Sequence, residues 1–500
     1  MLRTHPVRSV LPAALALCLA GAPIRDLCAD TVRAVGGARA HAYRVGAGAP
    51  WMAAHFAPLR DAAGPDPGPS STVLTVTNCN DDGPGSLRQA MFNAQGDTSI
   101  QFAMACSTIT LASGALIDPQ ANALRIAAPL RTVAGRPQPS LTIDAAGQSR
   151  VIEHRSVGSL ELQGLALVNG RTLAINIDGK GGCVFANGRV LASGVTIAGC
   201  AAVAEGNAAA LGGGIWSADV VGLVHSTVSG NFAQATSSDG YSYGGGVFAS
   251  QGFYSVFSTI DGNQSTALGY GGGVGVVGQV AIISSSISGN AAAFGGGLGL
   301  FGGIGLESGD VYLANSTVAY NSAAFSAGGI DVSAELTVHN STIAGNHGSS
   351  AGHANGIAVE GSHPLTLVST IVHGNANGDI EGASSIAGHA NLVGASSVAL
   401  PAGTLSANPA FGTFDYHGGL TRVIDLQANS PAIDAGDNPL ELPCDQRGGI
   451  LLTLESFRMV GLRERVAGAQ ADIGAFESGA GERVFNSGFE APDDTCYRER

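Results

Sequence analysis

Gly212-Gly213-Gly214-Ile215 is followed by Ser226-Thr-Val-Ser-Gly-Asn231, and the third glycine precedes the asparagine by 17 residues. The phrase returns twice at the same interval. Gly244-Gly245-Gly246-Val247 leads to Ser258-Thr-Ile-Asp-Gly-Asn263, and Gly271-Gly272-Gly273-Val274 leads to Ser285-Ser-Ile-Ser-Gly-Asn290. Looser copies follow: Gly295-Gly296-Gly297 with Asn321 carries an insertion, Gly328-Gly329 with Asn346 is slightly shorter, and Ser369-Thr-Ile-Val-His-Gly-Asn375 is degenerate. A fixed internal period marks stacked units, each burying its apolar face only against its neighbours.

Register supplies the geometry. Three residues before each asparagine stand Val228, Ile260, Ile287, Val318 and Ile343, all β-branched. Such residues at one coil position stack into an internal ladder, while Thr227, Thr259, Ser286, Thr317 and Thr342 just before them point the other way. The glycine triplets suit corners where a Cβ would clash. Asn231, Asn263, Asn290, Asn321 and Asn346 are expected to take the left-handed turn conformation and to hydrogen-bond to the next coil. The expected fold is therefore all-β, a parallel β-helix of roughly eight to ten coils and on the order of 40–50 Å long. Cys183 and Cys200 occupy the third-glycine and asparagine positions of an earlier coil, which makes them a disulfide candidate.

Composition agrees. Glycine, 74 of 500 residues, is about twice its ordinary frequency, and charged residues are only 12%. Helices would need more Glu, Lys and Arg on their exposed faces. The net charge of −14 disfavours nucleic acid and anionic lipid as partners. Between Arg189 and Arg422 there is no Lys or Arg, so these coils offer a polyanion nothing to hold.

The first residues read as an export signal: Arg3 and Arg8, then an apolar run from Leu11 to Ala22. That run is short for a stable membrane anchor, and no later segment looks transmembrane. Export permits disulfides; beyond Cys18 and Cys28 in or near the signal, the cysteines are Cys79, Cys106, Cys183, Cys200, Cys444 and Cys496, without a zinc-type spacing. The expected organisation is a signal at 1–29, an Ala/Pro/Gly-rich linker at 30–71, an N-terminal cap and first strands at 72–150, and coils at 151–407. A C-terminal cap at 408–478 and a tail at 479–500 complete it.

The repeats resemble those of single-stranded right-handed parallel β-helix surface proteins with polymorphic outer-membrane-protein-type repeats. Residues 74–111, containing Asp82-Gly-Pro-Gly-Ser-Leu-Arg-Gln-Ala90, resemble the N-terminal module of such proteins. That likeness implies a short capping helix at 86–94, an Arg88 pair with a carboxylate such as Asp97, and a Cys79–Cys106 disulfide. Asn408-Pro-Ala-Phe, His417-Gly-Gly-Leu-Thr421, Asn429-Ser-Pro-Ala-Ile-Asp-Ala-Gly-Asp437, Cys444-Asp-Gln-Arg-Gly448 and Asp472-Ile-Gly-Ala-Phe-Glu477 resemble the choice-of-anchor Q domain. Ala471 replaces a cysteine often found there, so Cys444 either stays a thiol or joins Cys496. Arg483-Val-Phe-Asn-Ser-Gly-Phe-Glu490 resembles a tail on exported proteins of certain Gram-negative bacteria. Together these imply an exported protein, extracellular or on the cell surface, and no reaction.

Parallel β-helices also include pectate lyases and polygalacturonases. A lyase of that kind needs a basic residue beside carboxylate-bound calcium, and the coils between Arg189 and Arg422 carry no Lys or Arg. A hydrolase needs two facing carboxylates; Asp310, Asp331 and Glu335 are available, without the polygalacturonase signature. No catalytic residue is assigned. His339, His347, His353, His363, His373 and His389 follow no ligand spacing and are read as polar turn residues, so no metal or other cofactor is expected. Tyr243, Tyr270 and Phe294 each precede a glycine triplet. They are expected to stack at successive coils, either as a corner cover or as a contact face for a carbohydrate or another cell-surface component. Arg422, Asp434, Asp437, Asp445, Arg447, Asp472 and Glu477 are read as a structural network in the C-terminal cap. The favoured reading is a monomeric, non-catalytic, adhesin-like binding or structural surface protein; the alternative is a carbohydrate-active enzyme working on the coil face.

Overall fold

A computed structural model describes residues 72–479, apart from 134, 238–239, 267, 301–308, 351, 443, 453–456 and 461–462. The expected signal, the linker, Cys496 and nearly all of the tail lie outside the described residues. The described chain winds into about ten right-handed turns. One turn shows the path: Val220–Val224, Thr227–Ser229, Phe232–Ala235, Tyr241–Tyr243, Val247–Ala249. Each strand pairs in parallel with its counterpart one coil away. Among the described residues this builds three long sheets, of 12, 11 and 10 strands, with outer sheets of seven and four strands at the wider coils.

The core is the predicted ladder. Val228, Ile260, Ile287, Val318 and Ile343 stand in register and are fully buried. Ile215, Val247, Val274, Leu298, Ile330 and Ile357 form a second inward column on the ten-stranded sheet. At the corners, the first glycine of each triplet takes a positive φ, and a Cβ on Gly244 would lie 1.9 Å from the carbonyl oxygen of Val247. Only glycine fits there.

The asparagines form a continuous buried ladder. The Asn263 side-chain oxygen accepts from the Asn231 backbone N–H at 3.0 Å and from its Nδ2 at 2.9 Å, and Asn290, Asn321, Asn346 and Asn375 repeat the pattern. Each Nδ2 also donates to a strand carbonyl, as Asn290 does to Ile260 at 3.0 Å. Asp379 ends the row by accepting from Asn375 at 2.8 Å. One expectation is corrected. The asparagines are not themselves left-handed; that conformation falls on the residue before each, Gly230, Gly262, Gly289, Tyr320 or Gly345. Asn263, Asn315 and Asn340, which open glycosylation-type sequons, are buried.

A second ladder went unread in the sequence. The Ser226, Ser258, Ser285 and Ser316 N–H groups each donate to the serine hydroxyl of the next coil, ending at Ser341, over 3.1–3.2 Å. The preceding residues, His225, Phe257, Ser284, Asn315 and Asn340, carry the positive φ here.

The N-terminal helix spans Leu87–Asn93, with the Ser86 hydroxyl accepting from Gln89 N–H as its N-cap. Arg88 pairs with Asp81 at 2.6 Å, not with Asp97, and also donates to the Gly114 and Ala115 carbonyls. Asp97 instead accepts from Asn122. Both expected disulfides, Cys79–Cys106 and Cys183–Cys200, are formed. Cys183→Ser/Cys200→Ser should lower stability by about 3 kcal/mol, the chain-entropy value for a closed loop of this size. A guanidinium midpoint within error of wild type would refute that value.

The irregular C-terminal cap lies along the flank of the 11-stranded sheet. Gln446 accepts from Thr317, Asn340 donates to the Asp437 carbonyl, and Ala475 N–H donates to the Thr342 hydroxyl. This explains why Thr317 and Thr342 point away from the core yet are buried. The last coil is closed instead by the segment that follows it, where Val398 and Leu400 pack on the core.

Candidate functional site

The outward residues of the ten-stranded sheet form one line along the rod. In register they are Glu153, Phe185, Trp216, Phe248, Gly275, Gly299, Asp331, Ala358 and Glu381. At the early end Phe185 stacks on Trp216 at 4.8 Å, with Arg150 over the first ring and Lys180 over the second. In the middle, Gly275 and Gly299 lie beneath the neighbouring corner, and a Cβ on either would come within 2.6 Å of its backbone. Their missing side chains let the outer four-stranded sheet fold close over this face.

That outer sheet carries the aromatic row. Tyr243 pairs with Tyr270 in register, and Tyr270 bridges to Phe294. Ring centroids lie 5.6 Å and 4.5 Å apart, with both pairs tilted by only 12°. Tyr241 extends the row at one end and Phe325 at the other, and these two are about half exposed, at 46% and 51%. Because the three central rings stack face on face, they cover one another's faces. Burial pushes the Tyr243 hydroxyl up to about 12, with Tyr270 and Tyr241 adding to the rise.

Asp331 stands one coil beyond Gly299. Burial, joined by the charges of Glu360 and Glu381, pushes its carboxyl up to about 7, against the opposing pull of the Ser326 hydrogen bond and His353. Glu381 is held by His353 at 2.9 Å, and Glu360 accepts from Ser333 at 3.4 Å. Glu381 lies two coils from Asp331 on the same line, which places their backbones roughly 10 Å apart. Tyr270 is raised by burial and then by Asp331 and Glu360, so row and acids share one electrostatic neighbourhood. Of the three acids weighed from sequence, only Asp331 lies here. Asp310 and Glu335 are exposed at another corner, in adjacent coils. Glu360, Glu381 and His353 were missed as partners because only coil register brings them together.

A carboxyl that keeps its proton in the folded state binds more protons there than in the unfolded chain between about pH 4 and 7. Its contribution therefore favours folding at low pH and is lost as pH rises through the folded value. Asp331→Asn should accordingly melt higher than wild type at pH 8 and match it near pH 4. An equal or lower melting temperature at pH 8 would contradict this.

The other residues singled out in sequence divide in two. Asp445, Arg447, Asp472 and Glu477 form a buried network in the C-terminal cap. Asp445 accepts from Arg447 at 2.6 Å and from Glu477 N–H, while Glu477 accepts from Ala467 and Asp472 N–H groups. Asp434 borders it, its N–H donating to Asp472 at 2.8 Å. Burial pushes Glu477 up to about 7. Arg465, unnoticed in sequence, sits fully buried at the centre and donates to the Asp472 and Gly474 carbonyls. Arg422 and Asp437 do a different job, tying cap to coils through Asp261 at 2.5 Å and His389 at 2.9 Å. Among the described residues no group of three His, Cys, Asp or Glu side chains is placed to hold a metal ion. None of their helices is long and apolar enough to cross a membrane.

These features define a parallel β-helix protein with an aromatic, acid-ended flank. No protein-family profile matches the chain, and no curated protein matches it. Among solved structures, the crystal structure of pectate lyase Pel9A is similar at a TM-score of 0.43 and 13% identity, over 82% of this chain and 97% of that one.

Proposed function

We infer that this is an exported, cell-surface-associated rod that binds neutral or weakly charged polysaccharide along the flank from Tyr241 to Phe325, as a non-catalytic, adhesin-like monomer without a cofactor. The supporting observation is the aromatic row itself. Its half-exposed ends and outward tyrosines lie in a stretch of chain devoid of Lys and Arg. Aromatic carbon and hydroxyl groups together suit a polyol, and the absence of basic groups disfavours polyanions. Tyr241→Ser/Phe325→Ser changes exposed positions only. It should weaken retention on a neutral glycan column about tenfold, given roughly 0.5–1.5 kcal/mol per aromatic contact. Retention unchanged across a polysaccharide panel would sink this reading.

A second reading is favoured by the raised Asp331 carboxyl with Glu381 two coils along. An acid that keeps its proton near neutral pH and a second carboxylate at roughly this separation are what glycoside hydrolysis with inversion requires. Release of new reducing ends by wild type, lost in Asp331→Asn, would make the flank an active site and displace the non-catalytic reading.

A further inference from the structure

Three stretches of chain far apart in sequence meet at a cleft of about 140 Å³. The hairpin of Leu130–Val133 and Arg136–Pro139 supplies Arg136 and Gln138. The coils supply Thr227, Phe257 and Thr259, and the C-terminal cap supplies Tyr416. The Arg136 guanidinium lies 3.7 Å over the Tyr416 ring. Stacking of that kind fixes the guanidinium plane and leaves its in-plane N–H groups available. No carboxylate forms an ion pair with Arg136 among the described residues. This is notable in a chain of net charge −14.

The polar groups converge. Thr227 and Thr259 are register neighbours, so their hydroxyls sit about one coil spacing, roughly 4.8 Å, apart. Among the described residues, the side chains of Arg136, Gln138, Thr227 and Thr259 make no hydrogen bond to the protein. The space corresponds to about five waters, or one six-membered sugar ring. Aromatic carbon from Phe257 and Tyr416 lines it, hydroxyl and amide groups face it, and one guanidinium matches one carboxylate.

We propose that this cleft is a binding site for a single carboxylate-bearing pyranose, with Arg136 pairing the carboxylate and Gln138, Thr227 and Thr259 holding ring hydroxyls. It lies on a different sheet from the aromatic row and does not depend on the function assigned to that row.

The test is isothermal titration of the full protein with galacturonate, galactose and acetate. Galacturonate should saturate in the millimolar range, and galactose and acetate should each bind at least about tenfold more weakly. Arg136→Gln should abolish the preference for galacturonate over galactose while leaving the melting temperature unchanged. Thr227→Val/Thr259→Val should weaken galacturonate about tenfold and leave acetate unaffected, which keeps the test decisive if the arginine variant folds poorly. A galacturonate oligomer that binds more tightly than the monomer would assign the ligand as a polysaccharide end, and equal binding would assign it as the free sugar. The proposal is overturned by no saturable heat up to about 50 mM. Equal binding of acidic and neutral sugar by wild type, or an intact preference in Arg136→Gln, would overturn it as well.

Discussion

Asn290→Leu lowers stability by about 3–5 kcal/mol, far more than the loss of one exposed hydrogen bond. The side chain is completely buried and makes four hydrogen bonds. It accepts from the Asn263 N–H and Nδ2, both at 2.9 Å, and donates to the Ile260 carbonyl and the Asn321 side chain. Leucine fills a similar space but leaves donors on Asn263 and the Ile260 carbonyl without partners, each at about 1–3 kcal/mol where water does not reach. The defect also interrupts a chain of amides that polarise one another from Asn231 to Asn375. Ser285→Ala provides the comparison: its buried hydroxyl accepts from the Ser258 N–H, donates to the Ile283 carbonyl and meets the Ser255 hydroxyl, but its loss strands fewer groups and should cost about 1–3 kcal/mol. Equilibrium guanidinium unfolding measures both. A loss below about 1 kcal/mol for Asn290→Leu would mean that the ladder decorates the corner without holding it.

The same ladder shows how far the sequence could be read. A constant interval from glycine triplet to asparagine implied stacking, and β-branched residues three before each asparagine implied the inward column; both are local patterns repeated in phase. Cys183–Cys200 followed because the cysteines replaced repeat residues at known positions. Assigning the left-handed corner to the asparagines failed by one residue, because the preceding Gly230, Gly262 and Gly289 are also good hosts for that conformation. The serine ladder stood in the quoted phrase, yet alternation alone gave no reason for a buried hydroxyl at Ser258 or Ser285. The acid group was harder. Asp331 and Glu381 are neighbours only through coils of unequal length, so their separation in sequence carries no fixed meaning until strand register is known. The cap motifs identified Asp445, Arg447, Asp472 and Glu477 but passed over Arg465, which belongs to none of the quoted motifs.

Arg465→Met should release the C-terminal cap from the coils while leaving the coils folded. Arg465 is buried among Asp445, Asp472 and Glu477, and Asp472 and Glu477 are both raised by burial. Its Nη2 is held by two carbonyls, but its Nε and Nη1 find no hydrogen-bond partner, so its main contribution is positive charge in a buried acidic cluster. Methionine keeps much of the apolar stem and removes that charge. Breaking such a cluster costs about 3–5 kcal/mol when the remaining charges stay buried. The sign with pH follows from the raised carboxyls. Near pH 5 Glu477 holds its proton and the missing cation matters less; near pH 8 the carboxylates are ionised and Arg447 is left to oppose them. The variant should therefore resemble wild type more closely at pH 5 than at pH 8. Because the cap meets the coils through side contacts such as Arg422–Asp261 and Asp437–His389, its loss leaves the asparagine ladder intact. Limited proteolysis at pH 8 should then cleave within 408–479 while the coil fragment persists. Cleavage identical to wild type at both pH values would show that the buried arginine is dispensable and that the cap is held by its apolar contacts alone.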